Sequence, residues 1–139
     1  DLAQNLSKSF PKYLFIVCLR NQSEKITPLN NNLIISYNMD IYDIVKICDL
    51  HISIYSSFIL ESLSLGIPNI ILDYNSIGTD YLIDILDDSY NVHFCKSKNQ
   101  IYDIIRTWPF NAKDEIKKHY NYLFDYQSKN KIILKTLIN

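Results

Sequence analysis

The run from Ile52 to Leu72 constrains this chain more than any other stretch. Ile52-Ser53-Ile54-Tyr55 is β-branched and aromatic, and Ser56-Ser57 follows with turn chemistry. Phe58 to Leu65 then carries apolar residues on every side of a helix but one, Gly66 and Pro68 stop it, and Asn69-Ile70-Ile71-Leu72 resumes as a strand. Short apolar runs bounded by turn residues read as buried strands, and a helix between two of them makes the pair parallel, because parallel strands need a crossover connection. The stretch is one complete β-turn-α-turn-β unit.

The start of its helix has chemistry of its own. Ser56 or Ser57 is placed to cap it, and first-turn N–H groups that lack carbonyl partners face the carboxyl end of the strand, where a phosphate is favoured by hydrogen bonds and by the helix dipole. A capping box needs Glu or Gln three residues after the cap. Ile59 and Leu60 hold those positions, so Glu61 comes one step too late. An ordinary serine cap with Glu61 at the dipole's positive end is the plain structural alternative.

These residues carry a resemblance. Cys48-Asp49-Leu50-His51-Ile52-Ser53-Ile54-Tyr55-Ser56-Ser57, then Leu60-Glu61-Ser62, then Leu65-Gly66-Ile67-Pro68 resembles the nucleotide-sugar-binding segment in the C-terminal domain of GT-B-type glycosyltransferases. It is similar above all to bacterial enzymes of capsule and surface-polysaccharide synthesis, and to the related UDP-GlcNAc 2-epimerases. The likeness spans roughly residues 33 to 95. It implies that Ser56, Ser57 and the backbone after them, starting at Phe58, hold the donor phosphates, and that Glu61 accepts hydrogen bonds from ribose hydroxyls. It also implies a second Rossmann-like domain ahead of this one to hold the glycan acceptor. With Asp1 rather than Met at its start, residues 1–139 are expected to be the single C-terminal, donor-binding domain of a two-domain enzyme.

Composition sets the outer limits. A chain of 139 residues with 47% hydrophobic and 21% charged residues has the length and balance of one globular domain. No apolar run approaches the roughly 18–20 residues that span a bilayer, so no transmembrane segment is expected, and a cytoplasmic place, peripheral at the inner face of the membrane, fits the resemblance. A net charge of −1 gives no bulk attraction to nucleic acid. Cys18, Cys48 and Cys95 lie in apolar segments and read as reduced core residues. His51, His93 and His119 stand at no ligand-like spacing from them, so no metal site and no cofactor beyond the nucleotide-sugar substrate is expected.

In chain order, Leu2 to Ser9 reads as a helix end or linker closed by Phe10-Pro11, and Tyr13 to Leu19 as a central parallel strand. In many members of the resembled family this strand ends in Lys-x-His-Pro. Here Cys18-Leu19-Arg20-Asn21 stands instead, leaving Arg20 as the positive donor contact. Leu33 to Ser36 is a second strand. Asp40 opens a helix with Ile41, Ile44, Val45 and Cys48 on one face, and Asp49 is a turn residue. Tyr74 to Asp80 reads as the loop from the following strand's carboxyl end, the place where open α/β sheets bind ligands, so Ser76, Gly78 and Thr79 join the candidate donor contacts. Tyr81 to Leu86 suggests a short helix and Asn91 to Cys95 a last strand. Asn99 is placed to cap a helix carrying Ile101, Ile104, Ile105 and Trp108, ended by Pro109, and two further helices close the chain.

The alternation predicts an α/β fold: a doubly wound, Rossmann-like parallel sheet of about five or six strands, with helices on both faces and C-terminal helices. The functional expectation is the donor-binding half of a glycosyltransferase in bacterial surface-polysaccharide synthesis, binding but not turning over alone, with its catalytic base in the preceding domain. The alternative is a non-catalytic nucleotide-binding or assembly module of epimerase-like descent. A flavodoxin-like regulatory domain is disfavoured, because Arg20-Asn21 and Ser36-Tyr37-Asn38 offer no acidic cluster at the strand ends.

Overall fold

The computed structural model describes residues 2–19, 26–37, 39–86, 91–107 and 113–123. They form a mixed α/β structure with six α-helices and two small parallel sheets, organised as two compact units, residues 1–47 and 48–139. Arg20, Trp108, Pro109 and everything expected beyond Leu123 lie outside the described residues.

In the first unit, helix α1 (Leu2–Ser9) is followed by β1 (Phe15–Cys18), β2 (Leu33–Ser36) and α2 (Ile41–Ile47). β1 and β2 pair in parallel, Phe15 opposite Leu33 and Cys18 opposite Ser36. The Asn30-Asn31-Asn32 loop is more than a connection. Asn32 Nδ2 lies within 2.9 Å of the Ser7 and Tyr13 carbonyls and 3.2 Å of that of Phe10, and Asn30 Nδ2 donates to Ser7 Oγ at 2.8 Å. These amides tie the last turn of α1 and the segment after it to the start of β2, and give the Ser7 carbonyl, near the helix end, a partner outside the helix. Asp40 caps α2, its Oδ1 accepting the Tyr42 N–H at 2.8 Å, and Ile44 and Val45 are the buried face.

The second unit runs β3 (His51–Ser53), α3 (Phe58–Ser64), β4 (Asn69–Leu72), α4 (Ile77–Leu82), β5 (Val92–Cys95), α5 (Lys98–Thr107) and α6 (Lys113–Tyr120), with 3-10 turns at Tyr74–Ser76 and Asn121–Leu123. Its sheet has the order β3-β4-β5, all parallel. β4 is central, and Ile70 and Ile71, which point to opposite faces, are both fully buried. On the Ile71 face, Ile59, Leu60 and Leu63 of α3 form one core with Leu82, Leu86, Val92, and Ile116 and Tyr120 of α6.

α3 ends as its glycine requires. Gly66 has φ +83°, its N–H bonds to the Leu63 carbonyl at 2.9 Å, and the Ile67 N–H reaches back to the Ser62 carbonyl at 2.9 Å. This pair of bonds is a Schellman cap. A Cβ at Gly66 would also press on the Lys113 carbonyl at the start of α6.

Several expectations are corrected. One sheet of five or six strands is replaced by a two-stranded and a three-stranded sheet. Alternating strands and helices fix the parallel crossover, but not which strands share a ladder. The run expected as a central strand, Tyr13 to Leu19, is a strand only over Phe15–Cys18, and Tyr13 and Leu14 are exposed. β3 ends at Ser53, so Ile54 and Tyr55 have already left the strand. The expected loop from Tyr74 to Asp80 is mostly helical, because Asp73 caps α4 from below, and the helix expected at Tyr81 starts at Ile77. α5 starts at Lys98, not after Asn99: Ser97 Oγ faces the Gln100 N–H at 3.4 Å while Gln100 Oε1 accepts the Ser97 N–H at 3.2 Å, a capping box. Among the cysteines only Cys95 is core; Cys48 is half-buried and Cys18 exposed.

Candidate functional site

Ser56 and Ser57 sit where β3 gives way to α3, beyond the carboxyl end of a parallel strand. Ser56 is half-buried, and its Oγ accepts the Phe58 N–H at 3.2 Å. Its carbonyl takes the Ile59 N–H, and the Ser57 carbonyl takes that of Leu60, each at 3.0 Å. Ser57 is exposed, has helical angles (φ −56°, ψ −26°) and makes no side-chain cap. The capping hydroxyl is therefore that of Ser56, and the free-standing one is that of Ser57. The Phe58 ring turns inward, 7% exposed, and meets the His51 ring edge to face at 5.4 Å. Glu61 lies one turn into α3 and is half-buried.

The neighbouring strand supplies the other group. Asp73, 1% exposed at the carboxyl end of β4, accepts the Thr79 N–H on Oδ1 at 2.8 Å and the Thr79 hydroxyl on Oδ2 at 2.6 Å. Both donors of Thr79 are thus committed to Asp73, which makes this threonine a brace of the α4 start. Asn75 and Ser76 between them are left-handed, at φ 59° and 61°. Asn tolerates that conformation and Ser does so at a cost. Gly78 is buried within α4, and a Cβ there would press on Ile71 Cγ2 and stand 3.3 Å from Asp73 Oδ1 and 3.4 Å from the Ile54 carbonyl. Glycine is needed for packing against the sheet.

That packing brings the two loops together. Ile54 and Gly78 are neighbours, and the Tyr55 and Tyr81 rings meet with centroids 5.8 Å apart. The start of α3, with Ser56, Ser57 and one turn further in Glu61, and the start of α4, with Ser76 and Thr79, therefore stand at one edge of the β3-β4-β5 sheet, while the Phe58 ring and Gly78 are buried beneath it. Arg20 lies outside the described residues.

Below this edge lies a buried polar chain that sequence reasoning missed. Asn69, fully buried, donates from Nδ2 to the Ile67 carbonyl at 3.0 Å and to Ser62 Oγ at 2.9 Å, and Ser62 passes its hydrogen to the Ile59 carbonyl at 2.8 Å. Asn69 Oδ1 then faces His51 Nδ1 at 2.6 Å. Burial pushes the His51 pKa below its ordinary value, and the bond to Asn69 opposes that only in part. The available signal was polar residues inside apolar runs, Ser62 in a core helix and Asn69 opening a core strand, since a buried polar group is the informative exception. Asp73 was legible in the same way, as an Asp between a strand and a helix.

Asp49, in the turn before β3, pairs with Lys113 Nζ at 3.4 Å on the surface, a contact worth about 0–1 kcal/mol. Among the described residues no cluster of three His, Cys, Asp or Glu is placed to hold a metal ion, and no helix is long and apolar enough to cross a membrane. Comparison of the chain with protein-family models, with curated proteins and with solved structures finds no match.

Proposed function

We propose that the chain is the donor-binding half of a glycosyltransferase of bacterial surface-polysaccharide synthesis, holding a nucleotide sugar at the carboxyl edge of β3 and β4. The observation that carries this reading is the convergence of the β3–α3 turn and the start of α4 at the carboxyl ends of adjacent parallel strands, through the Ile54–Gly78 and Tyr55–Tyr81 contacts. Open α/β sheets bind their ligands at such edges. The choice of a nucleotide sugar is supported by the resemblance to GT-B donor domains that the Ser-Ser-x-x-x-Glu run ahead of Leu-Gly-x-Pro carries.

In this reading the Ser57 hydroxyl meets a donor phosphate directly. The Phe58 N–H, held at 3.2 Å by Ser56 Oγ in the free protein, changes partner to a phosphate oxygen and releases the Ser56 hydroxyl to donate as well. Glu61 accepts from the ribose hydroxyls. When the sugar departs, negative charge grows on the phosphate, and fixed hydroxyl and N–H donors at that point stabilise it. The proton acceptor for the attacking hydroxyl belongs to an N-terminal acceptor domain at the inner face of the membrane, so this half binds without turnover.

One observation favours the second reading, a nucleotide-binding or assembly module without transfer activity. The N–H groups of Phe58, Ile59 and Leu60 already have partners within the chain, which leaves a smaller anion site than an open helix end would. The test is an NMR titration with UDP, GDP, CDP and CMP. Shifts confined to Ser56–Glu61 and the 75–80 segment are expected for one base, and the absence of any shift at millimolar nucleotide rejects the donor-binding reading.

A further inference from the structure

The same edge carries aromatic surface that phosphate and ribose binding leave unused. Tyr55 and Tyr81 are exposed, at 59% and 50%, yet their rings are in edge-to-face contact with an interplanar angle of 64°. Ile54 and Ile77 beside them are 46% and 45% exposed. Ile77 and Tyr81 stand one turn apart on α4 and share its outer face. The backbone under the pair is fixed, since Gly78 packs against Ile54 and Ile71 and Asp73 grips the start of α4 through Thr79. An exposed aromatic pair on a packed backbone, with Tyr55 adjoining Ser56, is a surface suited to a ring.

A nucleotide sugar offers two rings that suit it. A base stacks on an aromatic face with about 1–3 kcal/mol, and a pyranose lays its C–H groups on one through weaker contacts. Order along the ligand decides between them. The groups run base, ribose, phosphates, sugar. Glu61, assigned to the ribose, lies beyond Ser57 in α3, whereas Tyr55 precedes Ser56 at the strand end and leans on α4. With the phosphates at the serines, the ring on the Tyr55 side is the sugar.

We infer that Tyr55 and Tyr81 form the platform for the pyranose ring of the transferred sugar, an inference that rests on the donor-binding reading. Their phenol groups, amphipathic at the tip, face hydroxyls of the same ring. The two residues then set donor-sugar affinity and not nucleotide affinity.

The experiment is calorimetric titration of the whole chain, and of its Tyr55→Ala, Tyr81→Ala and Tyr81→Phe variants. The ligands are UDP, GDP and CMP beside UDP-glucose, UDP-N-acetylglucosamine, GDP-mannose and CMP-sialic acid. The parent chain is expected to bind one nucleotide sugar on the order of tenfold more tightly than its bare nucleotide. Each alanine variant is expected to lose that increment with nucleotide affinity unchanged, and Tyr81→Phe to retain most of it. Equal weakening of nucleotide and nucleotide sugar would put the base on the platform and overturn the sugar assignment. Unchanged affinities in both alanine variants would overturn the platform while donor binding stands. Failure of the parent chain to bind any of the seven ligands overturns the donor-binding reading, and the platform with it. Both tyrosines are exposed, so unchanged melting curves verify that each variant is folded.

Discussion

His51 Nδ1 stands 2.6 Å from Asn69 Oδ1, and the groups behind Asn69 decide which atom carries the proton. The Ile67 carbonyl only accepts, so it must face the Asn69 NH2 group, which leaves Oδ1 toward the histidine. His51 Nδ1 is therefore the donor and Nε2 the site that takes up a proton in acid. Burial disfavours the charged ring, and its pKa in the fold lies below 6.5. In the window between that lowered value and 6.5 the unfolded chain binds more protons than the folded one. Stability is then fully present above the window and falls as the solution is acidified through it. Melting temperature is expected to drop as the pH is lowered through and below 6.5, and His51→Gln to flatten that part of the profile. An unchanged slope in the variant would place the titrating group elsewhere.

Asn69→Ala should be the costlier change in the same chain. It leaves the Ile67 carbonyl and His51 Nδ1 without the side-chain partner they share, at a position that is fully buried, while Ser62 keeps its bond to the Ile59 carbonyl. Each buried polar group so orphaned costs about 1–3 kcal/mol. Urea unfolding at constant m-value measures the sum.

Gly66→Ala tests the end of α3. A left-handed conformation costs an L-residue about 1–2 kcal/mol, and here the added methyl group also meets the Lys113 carbonyl, a backbone atom that moves only with α6. The expected loss is at least the conformational cost. A neutral variant would mean that α6 shifts freely.

Leu63 is fully buried between α3 and the Ile71 face of the sheet, in the core that α6 completes. Leu63→Ala is expected to cost about 2–5 kcal/mol, read by denaturant unfolding. Leu65, the residue just past the end of α3 and 41% exposed, is the control, with a change near zero.

These sites show what the sequence made legible. Gly66 and Pro68 ended α3 where they should, and the Ile44-Val45 and Ile101-Ile105 pairs faced inward, because helical period and special backbone angles are local properties. The Ser97-x-x-Gln100 box was equally local and marks the start of α5 one residue before Asn99. Sheet membership was not local. Phe15 to Cys18 and His51 to Ser53 are both short apolar strands, and nothing within either run states which ladder it joins. At the site, Ser56 and Ser57 were visible as turn residues, whereas the Tyr55–Tyr81 contact depends on Gly78 allowing α4 to close on the sheet. The commitment of Thr79 to Asp73 likewise depends on the left-handed turn at Asn75 and Ser76 that folds α4 back onto the strand end.

Ser57→Ala together with Glu61→Ala addresses the site with the least disturbance to the fold. Ser57 makes no side-chain cap, so its hydroxyl contributes little to the helix, and Glu61 is half-buried on the turn that follows, outside the α3 residues of the core. The double variant is expected to unfold within about 1 kcal/mol of the parent. On the donor-binding reading nucleotide binding should nevertheless be lost, because that reading assigns the phosphate contact to the Ser57 hydroxyl and the ribose contact to Glu61. Ser56→Ala provides the contrast: it removes the Oγ that holds the Phe58 N–H, so it is expected to lower stability by about 0.5–2 kcal/mol as well as weaken binding. A double variant that folds like the parent and binds nucleotide equally well would remove Ser57 and Glu61 from the site, and with them the order of groups that assigns the sugar to Tyr55 and Tyr81.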